Sequence, residues 1–173
     1  MKTLRRSIGK PEVGGEPLAP PFQAFQREGI IFRRAEVAVI AGTPGAGKSS
    51  IALHIAARLK QPTLYFSADT NAHTMAMRLL AMKAKISQAH AEHMLKTEPA
   101  KAEKLLREFS NLYWSFEPSP TLNDLDAEVS AFETMWGRSP TLIVVDNLMD
   151  IATDGGEEFA AMRQVMKELK YLA

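Results

Sequence analysis

The sequence contains no cysteine, and neither sign of charge dominates it. The absence of cysteine excludes disulfide bonds and cysteine-ligated zinc sites. The 21 basic residues are balanced by 20 acidic ones, which leaves a formal net charge of +1. This balance excludes the class of proteins that coat nucleic acid through an overall positive charge. Any contact with nucleic acid therefore has to come from a local patch or from a multimer.

Long apolar runs are also missing. No stretch approaches the roughly 18 apolar residues that a transmembrane helix needs. The basic N terminus is followed by glycine and proline, where a signal peptide would have its apolar core. We therefore expect a soluble protein of the cytoplasm, without a membrane partner, and the lack of cysteine agrees with a reducing compartment.

Short apolar runs alternate with helical patterns along the chain. Helical spacing follows the first two predicted strands, begins again at Thr121 and returns over residues 157–173. Strands that alternate with helices imply crossover connections, so we predict an α/β fold with a mainly parallel sheet and helices on both faces. The predicted strands span residues 36–42, 63–67, 112–116 and 141–146.

The same pattern suggests how the chain is divided. Glycine and proline crowd residues 7–22 without a helical period, so residues 1–30 are expected to be a mobile lead-in and residues 31–173 a single domain. The last predicted helix, 157–173, is followed by no glycine or asparagine cap. The domain is therefore expected to be incomplete at its C-terminal end.

The glycine-rich stretch from Gly42 to Ser49 carries the clearest chemistry. It matches the P-loop pattern G-x-x-x-x-G-K-[ST] at every fixed position and lies between a predicted strand and a predicted helix. Glycines let successive backbone N–H groups point at phosphate oxygens, and the start of the helix adds its positive dipole end. Lys48 would reach the β- and γ-phosphates, and Ser49 would ligate Mg²⁺. The predicted nucleotide-binding residues are Gly42, Thr43, Pro44, Gly45, Ala46, Gly47, Lys48, Ser49 and Ser50.

A nucleotide site of this kind also needs a carboxylate near the magnesium ion. Asp146 ends the most hydrophobic predicted strand and is assigned to this position, the alternative being a residue that caps the following turn. Asp69 follows the strand 63–67 and is assigned, with Lys48, to catalysis, where it would orient the attacking water. The alternative for Asp69 is an N-cap of the helix that begins near Asn71.

Taken in order, these motifs resemble those of the RecA-like ATPase core of the DnaB-type replicative helicases and their phage relatives. The resemblance covers residues 31–173. It implies a RecA-like P-loop fold, ATP and Mg²⁺ as cofactors, and an ATP-hydrolysing, helicase-like enzyme that acts on DNA in replication or recombination. The stretches that carry it are the Gly42–Ser49 loop, Tyr65-Phe-Ser-Ala-Asp69 before a helix ending in Arg78-Leu-Leu80, and Leu142-Ile-Val-Val-Asp146.

The resemblance also implies roles for the two aspartates and for partners. Asp146 matches the magnesium-side carboxylate of the family, and Asp69 stands where the family carries a catalytic glutamate, which is one methylene longer. The family completes its site across subunits, which implies a homo-oligomeric ring or filament. Its DNA-binding loops lie after the region that matches 157–173, so the isolated chain is expected to bind single-stranded DNA weakly.

Three other functions remain open on the sequence alone. A non-catalytic, nucleotide-gated regulatory or loader subunit is favoured by the short side chain of Asp69. A P-loop phosphotransferase would need an arginine-rich lid, for which Lys83, Lys85 and Lys96 are a poor substitute. A DNA-processing nuclease would need an acidic cluster beyond Asp69 and Asp146.

Two weaker signals are interpreted as structural. His90 and His93 have the spacing of a metal-binding pair, but no third ligand lies at a supportive distance in the sequence. Tyr113 and Trp114 lie in a predicted strand, which favours packing over stacking on a nucleic-acid base.

Overall fold

A three-stranded parallel sheet lies at the centre of the molecule. It is seen in a computed structural model that describes residues 15–152 and 158–172. The strands are β1 (Thr63–Ser67), β2 (Leu112–Ser115) and β3 (Leu142–Asp146), in the order β2-β1-β3. Because β1 has a neighbour on each side and helices above and below, all five of its residues are buried.

Seven helices accompany the sheet within the described residues. None of these described helices is long and apolar enough to cross a membrane. Two short 3-10 turns, Arg107–Phe109 and Leu148–Asp150, precede β2 and follow β3 respectively. The helices are α1 (Gln23–Arg27), α2 (Lys48–Leu59), α3 (Ala72–Ala84), α4 (Gln88–Thr97), α5 (Pro99–Leu106), α6 (Leu122–Trp136) and α7 (Glu158–Leu172).

Both faces of the sheet are covered by helices, as the sequence predicts. Successive side chains of a strand point to opposite faces, and β1 supplies large side chains to both. Tyr65 packs with residues of α2 and α3, while Leu64 and Phe66 pack with residues of α6 and α7. The first core includes Leu53, Met75, Leu79 and Leu112, and the second includes Leu125, Phe132, Ile151 and Val165.

The segment 36–42 differs from the prediction, because it forms no strand. Its apolar side chains remain accessible, with Val37, Val39 and Ile40 exposed by 38%, 62% and 40%. A strand requires a hydrogen-bonded neighbour, and β3 pairs with β1 along one edge only. A cavity of about 320 Å³ lies between these apolar side chains and β3. The apolar run therefore belongs to a segment that lies near β3 without forming strand hydrogen bonds with it.

The helical region 70–110 is divided into three helices by local signals. Helix α3 ends at Ala84 and is followed by Lys85, whose φ of 56° is left-handed. Ser87 then caps α4 by accepting a hydrogen bond from the N–H of His90. Pro99 stands in the first turn of α5, where its missing N–H costs no helical hydrogen bond. The three helices share a small core of Leu80, Ala91 and Ala102.

Helix α6 begins with a capping box, at the Thr121 where the sequence predicts a helix to start. The Thr121 side chain accepts from the N–H of Asp124, and the Asp124 carboxylate accepts from the N–H of Thr121. The Thr121 hydroxyl also donates to Asp124, and these hydrogen bonds lower the pKa of the Asp124 carboxyl. Gly137 ends the helix with a φ of 64°, a conformation that suits glycine.

The described residues before 36 contact the rest of the domain. Pro17 and Arg33 form an antiparallel bridge, and the N–H of Leu18 donates to the carbonyl of Phe32. Arg58 of α2 lies over the ring of Phe22, with its guanidinium carbon 4.7 Å from the ring centroid. Of the predicted lead-in, residues 1–14 lie outside the described residues. The domain boundary between 30 and 31 stays a prediction.

Candidate functional site

The glycine-rich loop is exposed and leads directly into α2. Gly45 and Gly47 have φ angles of 78° and 84°, which favour glycine over residues with a Cβ atom. A Cβ atom added to Gly42 would lie 3.4 Å from Cβ of Ala46, because the loop curls back on itself. Added Cβ atoms at Gly45 and Gly47 would meet no heavy atom within 4 Å, so these positions border open space. The loop is therefore a concave stretch of backbone at the N terminus of a helix.

Lys48 closes this loop from the first position of α2. Its Nζ donates to the carbonyl oxygens of Gly42 and Thr43, at 3.0 and 3.1 Å. The ammonium group therefore lies across the mouth of the loop, where it adds a full charge to the positive end of the helix dipole. This combination is the usual composition of a phosphate-binding site.

Asp146 lies at the C-terminal end of β3 and is joined to α2 and β1 by its two carboxylate oxygens. The hydroxyl of Ser49 donates to Oδ1 at 2.9 Å, and the hydroxyl of Tyr65 donates to Oδ2 at 2.9 Å. The aspartate is 8% exposed, so these contacts are shielded from bulk water. The structure thus brings together Ser49 and Asp146, which the sequence assigned to one metal site from positions 97 residues apart.

The Tyr65 hydroxyl remains a hydrogen-bond donor in this environment. Burial raises the pKa of Tyr65 most, and the charge of Asp146 and the hydrogen bond to it raise it further. The charge of Arg78 opposes the shift, and that of Asp69 adds a smaller increase. The raised pKa keeps the phenol protonated at neutral pH, in agreement with its role as donor to Asp146.

Asp69 lies near the same C-terminal end of the strands as Asp146, but it is exposed whereas Asp146 is buried. Ser67 is the register partner of Asp146, so Asp69 follows β1 two residues beyond that pair. Its side chain is exposed. Asn71 is the N-cap of α3, since its side chain accepts from the N–H of Thr74. The competing interpretation of Asp69 as the helix cap is therefore wrong.

The donor set fits a phosphate group together with a magnesium ion. Mg²⁺ prefers oxygen ligands and is usually held by one or two protein groups plus phosphates and water. The Ser49 hydroxyl and the Asp146 carboxylate provide such oxygens beside the exposed loop. Within residues 15–152 and 158–172 no group of three or more His, Cys, Asp or Glu residues could hold a metal. His90 and His93 belong to no such group among these residues.

The sequence interpretation of the two aromatic residues in β2 is confirmed. Trp114 packs on Tyr65 and Phe116, with ring centroids 4.9 and 5.8 Å apart. Tyr113 points to the other face, where it meets Phe132 and Trp136 at 4.9 and 4.8 Å. Both rings take part in the packing of the sheet.

Tyr65 belongs to the site through its hydrogen bond to Asp146, although the sequence assigns it no role beyond its place in the strand before Asp69. Two signals could have found it: a phenol in a fully buried strand needs a polar partner, and strand alternation puts Tyr65 and Ser67 on one face.

Comparison with known proteins relates this chain to DnaB-like helicases. A family model for the DnaB-like helicase C-terminal domain matches residues 21–173. Gene 65 protein of Mycobacterium phage L5 is 31% identical over 98% of this chain, and the matched region is 65% of the phage protein. The replicative DNA helicase DnaB of a Nostoc strain is 26% identical over 82% of this chain, and the match covers 17% of that helicase. The chain thus spans at most about two-thirds of the length of these relatives.

Two solved structures share the fold. One is described as the structure of a DnaB-like replicative helicase and its interactions with primase, and matches 98% of this chain and 44% of its own with a TM-score of 0.77. The other is described as an ATPase domain, and matches 75% of this chain and 49% of its own with a TM-score of 0.65. Both are 15% identical to this chain, which makes them evidence of fold. The fold is therefore the predicted RecA-like α/β fold, and the chain belongs to the DnaB-like helicase C-terminal domain family.

Proposed function

We propose that this chain binds ATP and Mg²⁺ at the Gly42–Ser49 loop and serves as the ATPase part of a helicase-like protein that acts on DNA. The observation that carries the proposal is the meeting of two distant chain segments at the C-terminal end of the strands. The loop that leads into α2, with Lys48 and Ser49, lies there beside the end of β3, with Asp146. Membership of the DnaB-like family supports the same assignment.

Each of these residues would have a distinct role. The backbone of the loop, with Gly45 and Gly47 in left-handed conformations, would present N–H groups to the phosphates. Lys48 would exchange its contacts with the loop carbonyls for the β- and γ-phosphates. Ser49 and Asp146 would hold Mg²⁺, which when bound neutralises charge on the phosphates.

Asp69 would act as the base or water-orienting group of hydrolysis. Its exposed position beyond β1 leaves its carboxylate accessible from the same edge of the sheet as Asp146. Aspartate reaches about one methylene less far than glutamate, so a water molecule held by Asp69 would lie farther from ideal geometry. We therefore expect slow hydrolysis by this chain.

The exposed site also supports the proposal of a multimer. The loop is open to solvent rather than enclosed by the domain that carries it, so a neighbouring copy could complete the site. We propose a ring or filament of such subunits that acts on single-stranded DNA in replication or recombination. The DnaB-like protein of the similar structure interacts with primase, and a primase is a reasonable partner to test here.

A second function, a nucleotide-gated regulatory or loader subunit without catalysis, is favoured by one observation. Asp69 is exposed and shorter than the glutamate that the family resemblance expects. Binding would then persist without turnover. Measurement of phosphate release beside nucleotide binding separates the two functions, because the regulatory subunit would bind ATP and release no phosphate above background.

The nucleotide site is tested by Lys48→Ala in a titration with a fluorescent ATP analogue. Loss of one charge-assisted contact of about 1.5–3 kcal/mol lowers affinity by roughly ten- to a hundred-fold. Lys104→Ala is the matched control, because it removes the same charge from α5, a helix that packs with α3 and α4. Equal affinities of the two variants, with unchanged circular dichroism, would refute the assignment.

A further inference from the structure

We propose that Tyr65 is a positioning residue, which holds the Asp146 carboxylate in the orientation that turns Oδ1 toward Ser49. The inference rests on the proposed function, because it concerns the residues that would hold Mg²⁺. It adds a third side chain to that site, from strand β1. Tyr65 would act through Asp146 and would touch neither the metal nor the nucleotide.

The strand register places the two side chains within reach of each other. Tyr65 is the register partner of Val144, and Ser67 is the register partner of Asp146. Since side chains two residues apart share a face, Tyr65 and Asp146 point to the same side of the sheet as diagonal neighbours. A long aromatic side chain spans this diagonal, and its hydroxyl lies 2.9 Å from Oδ2.

The ring of Tyr65 has little freedom to leave this position. The residue is 0% exposed and lies in the core formed with α2 and α3. Trp114 covers part of the ring, with the two centroids 4.9 Å apart and the planes tilted by 33°. Leu53 and Met75 belong to the same core and are 2% and 1% exposed. The hydroxyl is therefore presented to Asp146 by a rigid scaffold.

The two oxygens of Asp146 are thereby divided between two donors. Tyr65 takes Oδ2 from the core side, and Ser49 takes Oδ1 from the first turn of α2. Without the phenol hydroxyl, Oδ2 would be a buried acceptor lacking this partner. The carboxylate would then gain by rotating toward water or toward Ser49, and Oδ1 would lose its fixed direction. Hydrogen bonds to metal-ligating carboxylates tune metal affinity in this way.

The substitution Tyr65→Phe isolates the hydroxyl, because the ring and its packing remain. We expect it to weaken nucleotide binding in the presence of Mg²⁺ by about tenfold, in line with the effect of other outer-shell partners on metal affinity. Binding measured in EDTA should stay within about twofold of the unsubstituted chain, since Tyr65 does not contact the loop. The readout is the ratio of the two dissociation constants for a fluorescent ATP analogue, measured below the unfolding temperature.

Tyr113→Phe is the matched control. It makes the same chemical change in the neighbouring strand β2, on the opposite face, where Tyr113 packs against Phe132 and Trp136. This variant should leave the Mg²⁺ dependence of binding unchanged. A role of Tyr65 in stability alone would lower the unfolding temperature of Tyr65→Phe without altering that dependence, and this result would overturn the inference.

A double-mutant cycle with Asp146→Asn shows whether Tyr65 acts through the aspartate. If it does, Tyr65→Phe changes the Mg²⁺ dependence in the parent chain and has no further effect beside Asp146→Asn. Additive effects in the cycle, or a Tyr65→Phe variant that matches the parent, would overturn the inference while leaving the nucleotide site intact. A parent chain that binds no nucleotide would instead overturn the proposed function, and the inference with it.

Discussion

Strand β1 and the segment 36–47 both contain apolar runs, but β1 is buried and the segment 36–47 is exposed. Every residue of β1 is buried, with ladder partners in both β2 and β3. Residues 36–47 are all exposed and contain no strand, although Val37, Val39 and Ile40 have the pattern of a buried strand. The two regions differ because β1 has a paired strand on each side and helices on both faces, whereas residues 36–47 pair with no strand.

The difference separates the residues that stabilise the fold from those that would bind ligand. The buried strand and its helices supply the apolar contacts, which dominate stability. The exposed segment ends in the loop 42–47, whose backbone remains accessible to a ligand. Regions with few buried contacts are those that open most easily, and binding loops are drawn from them. The candidate site lies where the two regions meet, at Lys48, Ser49 and Asp146.

The largest expected effect is on stability. Leu64→Ala in β1, where Leu64 is 3% exposed, should lower the free energy of unfolding by about 3 kcal/mol, because it removes buried methyl groups and leaves a cavity. Ile40→Ala in the exposed segment removes a side chain of equal carbon count that is 40% exposed, and should cost less than about 1 kcal/mol. Urea unfolding followed by circular dichroism measures both. Equal losses for the two variants would mean that segment 36–42 is packed as firmly as β1.

A smaller effect is expected from the two aspartates, which lie at the same sheet edge but differ in burial. Asp146→Asn should weaken nucleotide binding by about tenfold with Mg²⁺ present and little without it, since the carboxylate is proposed to act through the metal. Asp69→Asn should leave binding nearly unchanged and lower only the rate of phosphate release. Isothermal titration with and without Mg²⁺, beside a phosphate-release assay, checks both. The reverse outcome would mean that the roles of Asp69 and Asp146 are exchanged.

The smallest expected signal is the binding of single-stranded DNA by this chain alone. A net charge of +1 provides little attraction for the phosphate backbone. We expect a dissociation constant for single-stranded DNA near the weak end of non-specific binding, about 10⁻⁴ M, with a shallow dependence on salt. Fluorescence anisotropy with a labelled oligonucleotide at several salt concentrations measures it. Tight binding independent of ATP would point to a local basic patch, and Arg33→Ala with Arg34→Ala would then be the variants to compare.

Much of the fold could be predicted because its signals are local. Short apolar runs predict the strand Thr63–Ser67 at both ends and the strand ending at Asp146 to within one residue, since that strand begins at Leu142. The capping box at Thr121 and the start of α2 after the glycine loop follow from residue chemistry over three or four positions. Ser49 and Asp146 were paired by motif, and their hydroxyl and carboxylate oxygens are in fact 2.9 Å apart.

The parts that could not be predicted depend on neighbours distant in sequence. The pattern of 36–42 is that of a strand, but whether it pairs depends on what lies beside β3, which no local signal reports. The contact of Tyr65 with Asp146 joins residues 81 positions apart and follows from strand order and register. Neither the pairing of 36–42 nor the contact of Tyr65 with Asp146 can be predicted from local sequence, because both depend on how the strands are arranged in the sheet. Asn71 caps α3 because its side chain accepts from the N–H of Thr74. The sequence alone does not show which of the neighbouring polar residues makes this contact.

The central claim is that nucleotide binds at the exposed loop and leaves the buried sheet as it is. Hydrogen–deuterium exchange, with and without a saturating Mg²⁺–nucleotide complex, tests it directly. We expect fast exchange at residues 42–50 in the free chain. The Mg²⁺–nucleotide complex should slow it, nucleotide in EDTA should slow it less, and β1 should exchange slowly in every condition. Unchanged exchange at 42–50 when binding is detected by titration, or protection confined to α4 and α5, would contradict it.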